Sequence, residues 1–321
     1  MLRAVCVLLW IGFAVSAGNV SAQAWPVKPI HLIVGNAPGA AVDTGARIIA
    51  NSLSVSLGQA VVVDNRPGAD GYIAAEAVVR APPDGYTLFL ASQSVVAIDP
   101  HLKKSMPVDV ERDFTPIATL VDDTFAHGLF AHPSLPFTTM QEMIGYARAN
   151  RGKLSVAISV PHFAMLASWL DKRAGIETLQ VPYKSATQAV QDILVGRVSL
   201  FLTNFGFFEQ HLKSGKVRVL AVTRPVSDWP QVPSIASLFP GFTFTTFFTL
   251  LGPGGMPREL VSHINRSVAA VVEAPKFNQD LEKIRWRNLD GVRTPQGTAE
   301  FIRQARADWG AFIKEIGLQP Q

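Results

Sequence analysis

The stretch LIVGNAPGAAVDTGAR, residues 32–47, indicates the fold class. It begins with an apolar run typical of a buried strand, continues through a loop of small residues, and ends in a helix-period pattern. In open α/β sheets, ligands bind beyond the carboxyl ends of strands, where helix amino termini present unpaired N–H groups. The stretch therefore predicts a loop whose backbone is open to a ligand.

Strand-like and helix-like segments alternate along the rest of the chain. Apolar strand-like runs cover residues 30–34, 60–63, 87–90, 117–121, 128–131, 155–158, 178–181, 199–203, 218–223 and 242–251. Helix-period segments cover residues 41–57, 73–80, 139–149, 164–174, 185–195, 209–214, 258–272, 275–284 and 295–316. Gly58, Gly175 and Gly196 each follow a helical segment, as residues past a helix end often do. The alternation predicts a parallel α/β sheet with helices on both faces.

The first 22 residues have the pattern of a secretory signal peptide. One basic residue, Arg3, precedes the apolar run 4–17, and Val20-Ser21-Ala22 is a small-x-small cleavage site, with Ala24 an alternative cleavage point. A transmembrane anchor is the other interpretation, but the run is shorter than the roughly 20 residues that span a bilayer. The sequence therefore predicts an exported protein.

Composition excludes several classes of function for the mature chain. The only cysteine, Cys6, lies in the signal segment, which rules out disulfides, thiolate catalysis and cysteine metal sites. Without Arg3, 28 basic residues face 25 acidic ones, a net charge of +3 with no block of like charge, which argues against a nucleic-acid partner. About 300 mature residues predict two domains. No low-complexity linker separates two halves, so we expect the chain to cross between domains more than once.

Motifs for catalysis or metal binding are missing from the sequence. There is no Gly-x-Ser-x-Gly elbow. The pairs Gly152-Lys153 and Gly215-Lys216 have Ala147 and Gln210 where a phosphate loop needs glycine. The seven histidines are scattered singly, without metal-ligand spacing. We therefore predict no catalytic residue, no metal site and no cofactor.

A series of short motifs lies along the mature chain, each at one position. They are Trp25-Pro26-x-Lys28-Pro29-Ile30, Pro38-Gly39 with Asp43, Asn65-Arg66-Pro67-Gly68-Ala69, Pro83-Asp84-Gly85-Tyr86-Thr87-Leu88, Asp113-Phe114-x-Pro116-Ile117-Ala118, Val181-Pro182-Tyr183-Lys184, Gly215-Lys216-Val217-Arg218, Leu220-Ala221-Val222-Thr223 and Trp309-Gly310. In this order they resemble the substrate-binding proteins of tripartite tricarboxylate transporters, the Bug-type periplasmic receptors. The resemblance implies a receptor that performs no chemistry and delivers a small organic acid to the membrane components of a transporter.

The resemblance also implies the architecture. It is a type II periplasmic binding protein, a monomeric two-domain flytrap with parallel or mixed sheets flanked by helices and two interdomain crossovers. Domain 1 would comprise residues 23–123 and 246–321, with the carboxyl-terminal helices returning to it, and domain 2 residues 124–245. The crossovers would lie near residues 122–125 and 242–246, with the ligand in the cleft between the domains.

Residues that follow predicted strands, or that match the family's loops, are the candidate ligand-binding residues. The loop 36–41 contains no Arg or Lys, so a carboxylate there would be held by N–H groups and water. The candidates are Asn36, Ala37, Gly39, Ala40, Ala41, Asp43, Ser92, Gln93, Ser159, His162, Tyr183, Asn204 and Phe247. Asp43 is also placed to pair with Arg47 at i, i+4, and both roles stay open.

Two loops depart from the family pattern and leave the ligand open. Gly35-Asn36-Ala37-Pro38-Gly39-Ala40 stands where most relatives read Pro-Phe-x-Pro-Gly-Gly, and the second loop, residues 157–165, is nearly glycine-free. Thr203 replaces the acid of the family's Asp-Asn element. A more apolar or aromatic acid, with Phe163 and Phe247 as walls, is therefore an alternative to a di- or tricarboxylate. The other function class is an exported α/β enzyme for a carboxylated or phosphorylated molecule, using His162 or Asp43 as base.

Overall fold

Ten strands form two separate five-stranded sheets in the part of the chain that the structure describes. The structure is a computed structural model that describes residues 25–122, 126–242, 244, 246–284, 286 and 294–320. The predicted signal segment and both of its predicted cleavage points lie outside these residues.

The first sheet has the order β2-β1-β3-β10-β4. Its strands are β1 (Ile30–Val34), β2 (Val61–Asn65), β3 (Thr87–Ser92), β4 (Phe114–Asp122) and β10 (Phe247–Pro253). Strand β1 pairs in parallel with β2 and β3, whereas β10 is antiparallel to β3 and β4.

The second sheet has the order β7-β6-β8-β5-β9. Its strands are β5 (His127–Ala131), β6 (Ser155–Ile158), β7 (Leu179–Pro182), β8 (Leu200–Asn204) and β9 (Arg218–Val222). Strand β6 is parallel to β7 and β8, whereas β5 is antiparallel to β8 and β9. The alternation predicted parallel strands, and both sheets contain them, but each sheet also has antiparallel pairs and is therefore mixed. The antiparallel strands β5 and β10 are the first strands after the chain passes from one sheet to the other.

Helices cover both sheets. They are α1 (Ala41–Leu57), α2 (Tyr72–Val79), α3 (Asp99–Leu102), α4 (Met140–Ala149), α5 (Pro161–Ala174), α6 (Ala186–Leu194), α7 (Glu209–Lys213), α8 (Ile235–Leu238), α9 (Arg258–Glu273), α10 (Pro275–Lys283) and α11 (Pro295–Ile316). Shorter turns are the 3₁₀ turns Ala69–Gly71 and Phe205–Phe207 and a π-helical turn, Ser94–Ile98. Among the described residues, no helix has the length and apolarity needed to cross a bilayer.

Local signals explain where several helices end. Gly58 and Gly175 cap α1 and α5 in the left-handed conformation, with φ of 64° and 63°. Gly196, with φ of 73°, lies one residue beyond the end cap of α6. These three predicted helix ends are confirmed. At the other end of a helix, Thr139 and Glu142 form a capping box on α4.

Apolar side chains pack on both faces of the first sheet. One face packs against α1, α9 and α10 through residues that include Leu32, Ile49 and Ile264. The other face belongs to a cluster that continues into the second sheet and includes Phe89, Trp169 and Phe312. The two sheets thus share one continuous apolar cluster.

Helix α11 contacts both halves of the molecule. It packs against β4 and the π-helical turn on the first-sheet side and against α5 on the second-sheet side. Helices α9 and α10 pack on the first sheet, whereas α11 contacts elements of both sheets.

The two sheets are built from different parts of the chain, which is relevant to the predicted domain boundaries. The first sheet uses residues 30–122 and 247–253, and the second uses residues 127–222. The predicted crossovers lie partly outside the described residues, since 123–125, 243 and 245 are not described. The exact domain boundaries stay a proposal.

Candidate functional site

A cleft of about 1000 Å³ is lined by elements of both sheets. From the first-sheet side come the segment after β1, the turn at residues 68–71, and the residues that follow β3. From the second-sheet side comes the first half of α5, which follows β6. Gln180 on β7, residues 246–248 at the start of β10, and Leu318 and Gln319 beyond the end of α11 also line the cleft.

Asp43 fixes the loop that leads from β1 into the cleft. Its Oδ2 accepts hydrogen bonds from the Gly39 amide at 2.9 Å and from Arg47 Nε at 3.0 Å. Its Oδ1 accepts from Arg47 Nη2 and from Asn65 Nδ2, each at 3.0 Å, and Asn65 Nδ2 also donates to the Asn36 carbonyl. The hydrogen bond from Arg47 holds the pKa of this buried carboxyl below its usual value. Asp43 therefore positions the loop, because both its oxygens are bonded on the first-sheet side.

The turn at residues 68–71 is a second wall, and its backbone is left-handed throughout. The φ angles of Gly68, Ala69, Asp70 and Gly71 are 121°, 47°, 57° and 97°. Such conformations are unfavourable for residues with a side chain and concentrate at functional sites. Gly35 packs against this turn so closely that a Cβ there would lie 2.8 Å from the Gly71 Cα.

The first turn of α5 enters the cleft from the other side. Val160 caps this helix without a side-chain hydrogen bond, and His162 lines the cleft. Burial lowers the pKa of His162 to about 4, so the imidazole is neutral at pH 7. Its ring lies 4.5 Å from the Phe163 ring and 6.1 Å from the Phe244 ring. His162 therefore offers the cleft a neutral ring and no positive charge.

A polar group of side chains lies where the π-helical turn meets α3. Gln93 and Asp99 line the cleft and are 5% and 7% exposed. Gln93 Oε1 and Asp99 Oδ2 are buried and have no hydrogen-bond partner among the described residues. Lys103 Nζ lies 3.0 Å from Asp70 Oδ2 and 3.7 Å from Asp99 Oδ2. Burial raises the pKa of Asp99, and the Lys103 charge opposes that rise.

The structure brings five of the predicted residues together in the cleft lining. They are Asn36, Ser92, Gln93, His162 and Phe247. Phe247 is buried and packs edge-on against Phe301 at 4.8 Å.

Seven other predicted residues are not part of the cleft lining. They are Ala37, Gly39, Ala40, Asp43, Ser159, Tyr183 and Asn204. The Tyr183 hydroxyl donates to Asp192 at 3.0 Å, and Asn204 Oδ1 accepts from the Gly206 amide at 3.1 Å. Ala41 is the first residue of α1, and its side chain lies outside the described part of the structure. Phe163, predicted as a wall, is buried against His127 with ring centroids 4.9 Å apart.

Several cleft residues were missed in the sequence. Gly68 belongs to a recognised motif, and the spacing Gly68-x-x-Gly71 is a signal for an unusual turn. Asp99 and Lys103 carry no comparable signal, because their position depends on the π-helical turn. No cluster of three or more potential metal-binding side chains occurs within the described ranges.

The chain is similar in sequence and fold to known binding proteins. Residues 45–318 match the model of the tripartite tricarboxylate transporter family receptor. The protein BugT of Bordetella pertussis is 31% identical over 327 residues, covering 99% of each chain. Among solved structures, Rpa4515 of R. palustris with adipate is 30% identical with a TM-score of 0.77, covering 92% of this chain and all of that one. The periplasmic binding protein BugD is 28% identical with a TM-score of 0.75 over the same shares.

The chain belongs to the tripartite tricarboxylate transporter receptor family. The resemblance seen in the sequence motifs is thus confirmed, as is the two-domain binding-protein fold with mixed sheets. This is a family of periplasmic solute-binding receptors rather than enzymes, and the chain is a solute-binding protein.

Proposed function

We propose that this receptor captures a small organic acid in the cleft and presents it to the membrane components of a tripartite tricarboxylate transporter. The observation that carries the proposal is the meeting of two helix amino termini at one cleft. Val42, in the first turn of α1, and His162, in the first turn of α5, both line it. Neither helix has a side-chain cap. The first N–H groups of α1 therefore remain available to an anion. On α5, Pro161 has no N–H and the Phe163 N–H donates to the Val160 carbonyl, so the His162 N–H is the group offered there.

The charge of the lining supports binding through backbone groups. Among the described lining residues, Lys103 is the one cationic side chain, and Asp70 and Asp99 offset it. A carboxylate would therefore be held by N–H groups and helix dipoles rather than by an arginine clamp. The relative from R. palustris was solved with adipate, which is an acid of the expected size class.

The proposal also includes the division into domains, the oligomeric state and export. The domains comprise residues 23–123 with 246–321 and residues 124–245, and the crossovers near 122–125 and 242–246 act as the hinge. The chain is a monomer exported by a signal peptide that is cleaved near Ala22 or Ala24. The mass of the protein recovered from the periplasm tests the cleavage point.

A thermal-shift screen tests the proposed function. Mono- and dicarboxylates, amides, aromatic acids, sugars and cations would be added to the purified protein. An acid present at about 100 times its Kd should add roughly 2.7 kcal/mol to the stability. Shifts with sugars or cations alone would contradict the proposal. Recovery of a bound acid unchanged from denatured protein would separate the receptor from the exported enzyme considered above.

A further inference from the structure

The cleft extends well beyond the helix amino termini at which the carboxylate is proposed to bind. Its volume of about 1000 Å³ lies at the upper end of the range of roughly 300–1,000 Å³ for pockets that enclose drug-sized ligands. Succinate would fill only a small part of this space. The rest of the cleft therefore limits what the remainder of the ligand can be.

Helix α5 lines the cleft over two turns. Its lining residues are Pro161, His162, Ala164, Met165 and Ser168. A spacing of three and four residues places most of them along one face of the helix. From the His162 N–H, which is offered to the carboxylate, to Ser168 is about 9 Å along the helix. An extended chain advances about 3.3–3.6 Å in three bonds, so about eight bonds cover that distance.

The chain end after α11 lines the cleft near the second half of α5. Glu315 accepts a hydrogen bond from Trp169 Nε1 at 3.1 Å, which places the last turn of α11 beside that part of α5. Gly317 ends α11 in the left-handed conformation, and the Leu318 N–H donates to the Ile313 carbonyl at 3.3 Å. Leu318 is thereby held in the cleft lining, where it is 40% exposed.

The far end of the cleft, which we define by Ser168 and Leu318, has its polar side chains bonded to one another. Gln180 Nε2 donates to Ser168 Oγ at 2.9 Å and to the Ala164 carbonyl at 3.2 Å. Gln319, the residue after Leu318, is an uncharged amide. Ala164 and Leu318 present apolar surface to the cleft, because both line it and neither is buried. An alkyl chain would gain from burial against these groups.

The cation of the lining is already bonded. Lys103 Nζ is hydrogen-bonded to Asp70 Oδ2 at 3.0 Å and lies 4.5 Å from the centroid of the Tyr72 ring. A second carboxylate on the ligand would therefore lose water without gaining a free cation.

We propose that the acid bound in this cleft is a monocarboxylate with an extended alkyl chain of about eight carbons. Its carboxylate lies at the amino termini of α1 and α5, and its chain follows α5 to Leu318. This inference rests on the proposed function and names the substrate class within it. It distinguishes the receptor from one for short dicarboxylates.

Calorimetric titration of the unaltered protein with butyrate, hexanoate, octanoate and decanoate tests the chain length. Affinity should rise about three- to fourfold for each methylene added up to octanoate. Succinate and suberate, which match butyrate and octanoate in length, should bind at least about tenfold more weakly than octanoate. An affinity that does not depend on chain length, or suberate that binds as tightly as octanoate, overturns this inference alone. No binding by any acid overturns the proposed function with it.

A variant at the far end locates the alkyl chain. Ser168→Phe would place a ring there, so octanoate should bind at least about tenfold more weakly while the butyrate affinity stays within about twofold. In this variant Gln180 keeps the Ala164 carbonyl as an acceptor. Thr187→Phe, exposed on α6 and outside the cleft lining, is the matched control and should change neither affinity. A folded Ser168→Phe protein that binds octanoate as tightly as the unaltered protein overturns the inference, and the titration of the unaltered protein tests it even if the variant does not fold.

Discussion

The indole Nε1 of Trp169 donates a hydrogen bond to the Glu315 carboxylate at 3.1 Å, and this bond joins α5 to the last turn of α11. The Trp169 ring is buried and stacks on Phe312, with centroids 5.8 Å apart. Arg173 Nε lies 2.6 Å from Glu315 Oε1 on the same helix pair. Since α5 forms a wall of the cleft and α11 packs on β4, this contact joins the cleft wall to the first sheet.

Two substitutions at Glu315 should separate its two roles. Glu315→Gln keeps an acceptor for Trp169 but removes the ion pair with the 44%-exposed Arg173, so unfolding free energy should fall by less than about 1 kcal/mol. Glu315→Ala also leaves the buried indole N–H unpaired and should cost about 1–3 kcal/mol more. Urea denaturation of both variants measures the difference. Equal losses would show that the indole hydrogen bond contributes nothing.

Asp43→Asn should loosen the loop at the start of α1. The amide cannot accept all the hydrogen bonds that Gly39, Arg47 and Asn65 donate, so stability at pH 7 should fall by about 1–3 kcal/mol. The pKa of Asp43 is lowered in the folded state, so its contribution is present above the unfolded value near 3.8 and is lost as pH falls through the folded pKa. The gap between variant and unaltered protein should therefore shrink below about pH 4. Denaturation curves across this range check the prediction, and a gap that widens at low pH would contradict it.

His127, which is buried, and His162, which is half-buried, should make stability depend on pH below neutrality. Burial lowers the pKa of His162 to about 4, and burial together with His162 and Arg224 lowers that of His127 well below 6.5. Between pH 6.5 and about 4 the unfolded chain binds more protons than the folded one, so stability falls as pH falls. His162→Gln should flatten part of this slope. Melting temperatures at pH 7.5 and pH 5.5 (settings of about one unit either side of the unfolded pKa) measure it, and an identical slope in the variant would refute the assignment.

Two glycines in the interior of helices should respond oppositely to alanine. A Cβ at Gly45 in α1 would lie 2.0 Å from the ring of the buried Trp286, so Gly45→Ala should cost about 1–3 kcal/mol by overpacking. Gly145 in α4 has no atom within 4 Å of such a Cβ, so Gly145→Ala should stabilise by about 0.5–1 kcal/mol through helix propensity. Chemical denaturation compares them. Stabilisation by both would show that Trp286 does not pack against α1 as described.

Elements with strong local signals could be predicted from the sequence. The observed bounds of β1, β6, α1 and α11 agree with the predicted ones, since each combines regular periodicity with clear end signals such as Gly58. The direction of β5 and β10 could not be predicted, because it depends on the passage between sheets. The predicted strand 242–251 begins only at Phe247, since Phe242 packs on Trp169 instead, with ring centroids 4.9 Å apart. An apolar run does not distinguish these two roles.

The site was predictable only in part. Asn36 and His162 lie in the loops that come after predicted strands, and the structure places both in the cleft lining. Asp99 and Lys103 could not be predicted as cleft residues. A π-helical turn brings them to the cleft, and the sequence has no periodic pattern that indicates this turn. Both oxygens of the Asp43 carboxylate accept hydrogen bonds from residues on the first-sheet side. The ion pair with Arg47 was one of the two roles that the i, i+4 spacing predicted.

The central claim, that an acid binds in the cleft between the sheets, is tested most directly by titration of a cleft-filling variant. Ala164 lines the cleft on α5, and Ala164→Phe would place an aromatic ring in the space the ligand needs. Thr187→Phe on the exposed face of α6 is the matched control. Calorimetry with the tightest-binding acid should show affinity reduced at least about tenfold for Ala164→Phe and unchanged for Thr187→Phe, with unfolding free energies within about 1 kcal/mol of the unaltered protein. An Ala164→Phe protein that is folded and binds the acid as tightly as the unaltered protein would contradict the account.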